Sequence, residues 1–259
     1  MPRVFFSGKV LPERAPLSVS EVHSQIVGID GKAYATLSLN IWQNQITVAV
    51  ESEEENLFTL RNLVRSEAEF VTSVAGFLLG YGYDIEITKA FGESLVPTQV
   101  FGIDIPVLSE RAKGKDIGAR VNAIFPLCFG EDAIFLRRCL TDLSFAIKRL
   151  DDTAFYCFRA LESLRQSFEP NHSEADQWKA MSQAVGTTKS DMEPLRNHAF
   201  PARHGIPKPL TDEERQSLFL YTWSIVEKYI DFRLAQRGSA PVFSSPVPPG
   251  TETPPSTTV

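Results

Sequence analysis

The ten residues Arg196-Asn197-His198-Ala199-Phe200-Pro201-Ala202-Arg203-His204-Gly205 hold two of the four histidines, two arginines and an asparagine, and no other stretch is as dense in groups suited to phosphate chemistry. A guanidinium stays charged at any biological pH and offers a planar fork of donors to a phosphate, while an imidazole can give or take a proton near neutrality. Together they suffice for metal-free RNA cleavage. A base takes the proton of the ribose 2′-hydroxyl, the oxygen attacks the adjacent phosphorus, and a cation stabilises the extra charge of the transition state. The same residues also suit a plainer role, because Arg and His near a helix C-terminus complement its dipole and cap its carbonyls, with Gly205 as the stop.

Other chemistries find less support. His198 and His204 have neither a His-Glu-x-x-His context nor a cysteine pair, so no metal ligands are assigned, and no cofactor is expected. Gly80-Tyr81-Gly82 lacks the glycine spacing and the following Lys-Ser or Lys-Thr of a phosphate loop, and reads as a tight entry into a strand. Cys128, Cys139 and Cys157 are odd in number and form no Cys-x-x-Cys, which suits core thiols in a reducing compartment.

The stretch resembles the signature of the HEPN superfamily, small helical domains of RNA-cleaving toxins, abortive-infection proteins and other antiviral ribonucleases. That signature is an Arg, a polar residue and, after an interval, a His that is often followed by Gly. Arg196, Asn197, His204 and Gly205 take those places. Seven residues separate Arg196 from His204, more than the family uses, and Pro201 lies among them. The extra length is either taken up in a bulge or leaves the site degenerate. The resemblance implies a metal-independent endoribonuclease acting as a homodimer, in which both copies bring the motif to one scissile phosphate. Arg196 would stabilise the phosphorane, His204 would act as general base or acid, and Asn197 would position one of them, with His198 and Arg203 in reserve. Single-stranded RNA is the expected substrate, since in-line attack needs a backbone freed from A-form geometry. A neutralising or triggering protein partner would fit the toxin and defence roles.

A chain of 259 residues at 43% hydrophobic can bury a substantial core, and two domains fit its length. Its formal charge of −6 argues against coating nucleic acid through bulk electrostatics, so any RNA contact must be local. No apolar run is long enough to span a bilayer, and Met1 to Val10 lacks the apolar stretch of a signal peptide, which predicts a cytoplasmic protein without membrane contact.

The predicted fold class is α+β: a β-rich domain over 1–110, a HEPN-like helical bundle over 111–236, and a disordered Pro/Ser/Thr-rich tail over 237–259. Val4 to Val10, Leu17 to Val27, Ala33 to Trp42 and Gln45 to Glu51 are rich in β-branched and aromatic residues and partly alternate, with Asp30-Gly31 and Gln43-Asn44 as turns. Glu53 to Leu79 turns to helical spacing, with Glu53 to Glu55 at its start. Strands are expected over Tyr83 to Ala90 and Val100 to Leu108. This front domain would sense a ligand or a phage component.

Helices follow over Asp116–Phe129, Glu131–Leu150 and, capped by Asp151-Asp152, to Phe168. Ser173 to Val185 is next, then a short helix capped by Ser190 and Glu193 that leads into the motif, and last a helix from the Thr211/Glu214 capping box to about Ala235. On the helix ending at Phe168, Arg159 and Glu162 can touch each other as a surface ion pair, or orient Arg196 or His204. The last helix is apolar on more than one face, which predicts a surface shared with a second subunit. Two other functions remain open: a non-catalytic HEPN-like module that binds nucleotide or a protein, and a structural or regulatory subunit.

Overall fold

Alternating strands and one long amphipathic helix account for the first unit of the chain, Met1–Asp104. The computed structural model describes residues 2–27, 33–92, 97–102, 105–130, 133–168, 172–206 and 210–238. Strands β1 (Arg3–Leu11), β2 (Val19–Val27), β3 (Ala33–Trp42), β4 (Gln45–Ser52), β5 (Asp84–Phe91) and β6 (Pro97–Val100) form one sheet in the order β2-β3-β4-β1-β5-β6, antiparallel throughout. The period-2 pattern aims Leu37, Leu39, Ile41, Ile46, Val48 and Val50 into the core. Helix α1 (Leu57–Leu79) buries Leu60, Val64, Ala68, Thr72 and Gly76, a stripe repeating every fourth residue.

The β3–β4 hairpin turns on Gln43 and Asn44, both left-handed at φ 45° and 64°, as a two-residue turn matched to strand twist requires. Asn44 is buried; its Oδ1 accepts from the Leu17 N–H at 2.5 Å and its Nδ2 donates to the Glu13 and Ala15 carbonyls at 3.3 Å. One turn residue therefore also fixes the β1–β2 connection. Beside the register shift at Ser7/Gly8, β1 and β5 approach so closely that a Cβ on Gly8 would meet the Glu86 carbonyl oxygen at 2.2 Å.

Two expectations for this unit change, and a third falls on residues the structure does not describe. The N-cap of α1 is Asn56, whose side chain accepts from Phe58 and Thr59 N–H, while Glu54 lies outside the helix and binds Tyr34 Oη and the Asn56 N–H. The strand expected over Val100 to Leu108 is instead the short edge strand β6 followed by helix α2 (Pro106–Ala112). Pro106 occupies the first helical position, where its fixed φ is pre-set and its missing N–H costs nothing. Asp30-Gly31 lies outside the described residues.

The second unit, Ile105–Val259, is helical: α2, α3 (Ile117–Ile124) with a 3₁₀ turn over Phe125–Cys128, α4 (Ala133–Lys148), α5 (Thr153–Arg165), α6 (Glu174–Val185), α7 (Lys189–Arg203) and α8 (Asp212–Gly238). The division falls at Asp104/Ile105 rather than 110/111, because α2 packs on α8. The chain is thus an α+β protein with a β-rich front and a helical back. Residues 239–259, the greater part of the expected tail, lie outside the described residues.

In the core of this unit Leu161 and Leu164 of α5 meet Cys139 of α4, Leu195 of α7 and Phe219 and Tyr229 of α8. Helix α8 buries Leu218, Phe219, Ile225, Val226, Tyr229 and Ile230, and it is covered within the chain by α2, α3, α5 and α6. Cys139 and Cys157 are fully buried free thiols, as expected, with Cys157 pushed up to about 12 by burial; Cys128 is only half-buried. Among the described residues no helix is long and apolar enough to cross a membrane.

Candidate functional site

Helix α7 carries the motif, and its two ends are fixed by its own residues. Thr188 caps the N-terminus: its Oγ1 accepts from the Asp191 N–H at 3.3 Å, and the Asp191 carboxylate accepts from the Thr188 N–H at 2.8 Å. This capping box lies two residues before the Ser190/Glu193 pair read from sequence. Pro194 and Pro201 both lie inside the helix, which nevertheless runs unbroken to Arg203. Each proline removes one intrahelical bond. The C-terminus closes through Ile206 N–H to the Pro201 carbonyl at 2.9 Å and Gly205 N–H to the Ala202 carbonyl at 3.1 Å, with Gly205 left-handed at φ 73°. That pair of bonds is a Schellman stop, so the His-Gly dipeptide ends the helix through its backbone and leaves the His204 imidazole exposed.

An unbroken helix separates the expected site residues by face. Leu195 and Ala199 are buried in the core. Arg196, Phe200 and Arg203, at successive turns, face a cleft of about 930 Å³ bounded by α5, α6 and α7. His198 points the other way: its ring is mostly buried, Nε2 lies 3.8 Å from the Glu214 carboxylate at the start of α8, and Nδ1 has no hydrogen-bond partner. Asn197 is exposed and outside the cleft. His204 stands at the end of the helix with its ring 6.1 Å from that of Phe200, while the Arg196 guanidinium lies over the same Phe200 ring at 4.7 Å. The bulge considered for the long interval is absent, so eight residues of helix place Arg196 and His204 about 12 Å apart along the axis.

Arg159 and Glu162 of α5, expected to pair with each other or to orient the motif, part company. Glu162 lines the cleft and pairs with Arg203 at 3.5 Å; burial raises its pKa against the lowering influence of Arg203. Arg159 does not reach the motif. Its Nε donates to Asp142 Oδ2 at 3.0 Å, a second bond joins Nη2 to Oδ1, and its guanidinium covers the Phe155 and Tyr156 rings. The Arg159–Glu162 surface pair is accordingly replaced by two separate pairs. Asp142 is buried as the partner of Arg159.

The cleft also contains residues that the motif did not indicate. Arg165 closes α5 with its side chain only 8% exposed, lies over the Trp178 ring at 5.2 Å and pairs through Nη1 with Glu174; its Nε has no hydrogen-bond partner. Trp178 Nε1 donates to the same Glu174 carboxylate at 3.3 Å, and Phe158 stacks beside Trp178 with centroids 6.0 Å apart. Desolvation raises the Glu174 pKa, but the Arg165 charge and the donors around it bring the net shift below the usual value. The signal was available in part: Phe158, Glu162 and Arg165 fall on one helical face, a charge pair placed along an aromatic stripe. What periodicity could not supply was that α6 lies opposite.

Around the cleft, Arg165, Lys179, Arg196 and Arg203 face Glu162, Glu174 and Glu193. Two of the cations are paired, and neither Lys179 nor Arg196 forms an ion pair among the described residues. The arrangement supplies π-faces, guanidinium planes and uncommitted positive charge, the components by which unstacked bases and phosphates are held.

Both units match one family, DUF8168. Residues 4–101 match its N-terminal domain and residues 121–234 its C-terminal domain, each described as a domain of unknown function. No curated protein and no solved structure matches the chain. The DUF8168 C-terminal match runs from α3 into α8 and contains the motif and the whole cleft. Among the described residues no three His, Cys, Asp or Glu side chains are grouped to hold a metal ion.

Proposed function

We propose that the helical unit is a HEPN-type, metal-independent endoribonuclease that cleaves single-stranded RNA in the cytoplasm, in antiviral defence or a toxin system. The observation that carries this reading is that Arg196 and His204 approach one ring, Phe200, at the edge of a cleft with uncommitted positive charge. His204 takes the 2′-hydroxyl proton or returns one to the leaving 5′-oxygen, and Arg196 neutralises the phosphorane. Asn197 is exposed and free to meet substrate, and Arg203 keeps Glu162 beside the cleft. Arg196 and His204 start from backbone positions about 12 Å apart along the helix axis, and both side chains border Phe200. A second copy that brings its own helix end alongside adds a second Arg196 and His204 to the same phosphate, and the active form is a homodimer.

The full chain, incubated with single-stranded RNA in EDTA, is expected to cleave it. Arg196→Ala and His204→Ala are each expected to lower the rate at least about a hundredfold, the usual loss for a general base or a transition-state cation. Both side chains are exposed, so melting temperature and the mass of the assembly in light scattering should not move. Variants that cleave as wild type does, or an activity that EDTA abolishes, would overturn the reading. A second reading, nucleotide or partner binding without cleavage, draws on the same axial separation. It gains if the chain is monomeric and binds RNA without cutting it.

A further inference from the structure

Arg165 is the most deeply buried cation of the cleft, and its carboxylate partner is not buried with it. The Glu174 side chain is 69% exposed, on the first turn of α6, and among the described residues it is held there by Arg165 and the Trp178 indole N–H. An exposed carboxylate held in this way is exchangeable, because water solvates it almost as well as the pair does. A buried guanidinium is not exchangeable in the same sense. It needs an anion wherever it can find one, and its Nε still lacks a partner. Lys179, one turn along α6 from Ala175, and Arg196 from α7 add uncommitted charge around the same space. Next to them stands a layered wall of π-faces: Phe158 on Trp178, Arg165 on Trp178, Phe158 against Phe200, and Arg196 on Phe200.

We infer that this cleft is the base-binding subsite of the RNA, in which one unstacked nucleotide lies against the Trp178–Arg165 layer and its phosphate displaces Glu174 from Arg165. Glu174 is a placeholder anion that keeps Arg165 compensated while the site is empty. The inference rests on the ribonuclease reading, since it makes the cleft the place where the nucleotide next to the cleaved phosphate is gripped. It makes Trp178 and Arg165 specificity residues rather than catalytic ones. The size of the cleft suits one nucleotide and not a folded duplex, and pockets of this volume enclose ligands of that size.

The test uses the full chain and its intrinsic tryptophan fluorescence. The probes are a nucleoside 5′-monophosphate, ribose 5-phosphate, and a short oligonucleotide with 2′-deoxyribose, which cannot be cleaved by 2′-hydroxyl attack. Oligonucleotide and monophosphate are expected to quench, ribose 5-phosphate is not, and Trp178→Phe should remove most of the quench while Trp42 and Trp223 continue to emit. Trp178→Ala should weaken oligonucleotide binding at least about fivefold, the lower range for losing one base stack. Glu174→Gln should tighten it about two- to fivefold, the range set by removing an exposed competing carboxylate. The inference is overturned if Trp178→Phe quenches as before, if ribose 5-phosphate competes as well as the nucleotide, or if Glu174→Gln binds no more tightly. A free monophosphate that binds tighter than the oligonucleotide overturns RNA as the source of the base. The two readings fail separately: His204→Ala that still cleaves sinks the chemistry and leaves the quench, whereas cleavage indifferent to Trp178 sinks the subsite and leaves the chemistry.

Discussion

Arg159 and Arg165 lie less than two turns apart on α5, each over an aromatic ring and each paired with a carboxylate, yet the two pairs are built for different tasks. Arg159 reaches Asp142, whose side chain is 2% exposed, and the carboxylate is the buried member. Arg165 reaches Glu174, and there the guanidinium is the buried member. In the first pair Arg159 is the one cation that the buried acid meets among the described residues, and the pair fastens α4 and α5 together. In the second the exposed acid can leave for water, and whatever anion replaces it gains a desolvated cation. The side-chain chemistry is the same; which partner is buried decides whether the pair fastens the bundle or receives a ligand.

The sharpest way to break this comparison is to remove the outer member of each pair. Arg159→Ala strands the Asp142 carboxylate inside the bundle and is expected to cost about 3 kcal/mol, the lower range for orphaning a buried charge, since Arg159 itself is partly exposed. Urea unfolding should register it as a lower midpoint. The double variant Asp142→Leu with Arg159→Met should recover much of the loss, because it removes the buried charge together with its partner. A single variant within about 0.5 kcal/mol of wild type would mean that Asp142 finds water or another donor, and the contrast between the pairs would collapse.

Glu174→Ala is the matching cut on the other side. Its own side chain is mostly in solvent, but it leaves behind the Arg165 guanidinium, whose side chain is 8% exposed, so a loss of about 2 kcal/mol is expected, less than at Asp142 because Arg165 keeps the Trp178 ring. Unlike the loss at Arg159→Ala, this one should shrink when phosphate is added, because an anion in the cleft can stand where the carboxylate stood. A loss that phosphate leaves unchanged would make the Arg165–Glu174 pair as structural as its neighbour and would remove the reason to regard the carboxylate as exchangeable.

How much of this was legible in the sequence depended on whether the signal was local. The first five strands, the Gln43-Asn44 turn, the Thr211/Glu214 and Ser173 caps and the glycine stop at Gly205 all follow from residue type and short spacing, and the structure contains them. Errors fell where two local signals competed. Thr188 and Asp191 outbid Ser190 and Glu193 for the start of α7, and Pro106 converted an apolar run that resembled a strand into a helix. Asp152 stands at the N-cap of α5 but its side chain makes no capping bond. The motif fixed attention on α7, and Arg196, Arg203 and Glu162 do line one cleft. The face assignments required knowing that α7 stays unbroken through Pro201, which turns His198 toward α8 and His204 to the helix end. Asp142, Arg165 and Trp178 needed the tertiary pairing of α4, α5 and α6, for which no periodicity speaks.

The smallest effect is expected where the two behaviours meet. Glu162 lies on α5 between the two arginines, partly buried, and is paired with Arg203 across the cleft. Burial raises its pKa and the Arg203 charge opposes that, with burial the larger influence. A carboxyl whose folded pKa lies above its unfolded value favours folding while protonated. That contribution is complete below the ordinary value of 4.5 and is lost as pH rises through the raised folded value. Glu162→Gln, which stays neutral, should therefore melt with wild type below pH 4.5 and slightly above it at neutral pH, a difference that opens across the weakly acidic range. If wild type instead gains on the variant as pH rises, the Arg203 pair outweighs burial. Glu162 would then act as Asp142 does, fastening helices together, and Arg203 would be committed to α5 and unable to turn toward an incoming phosphate.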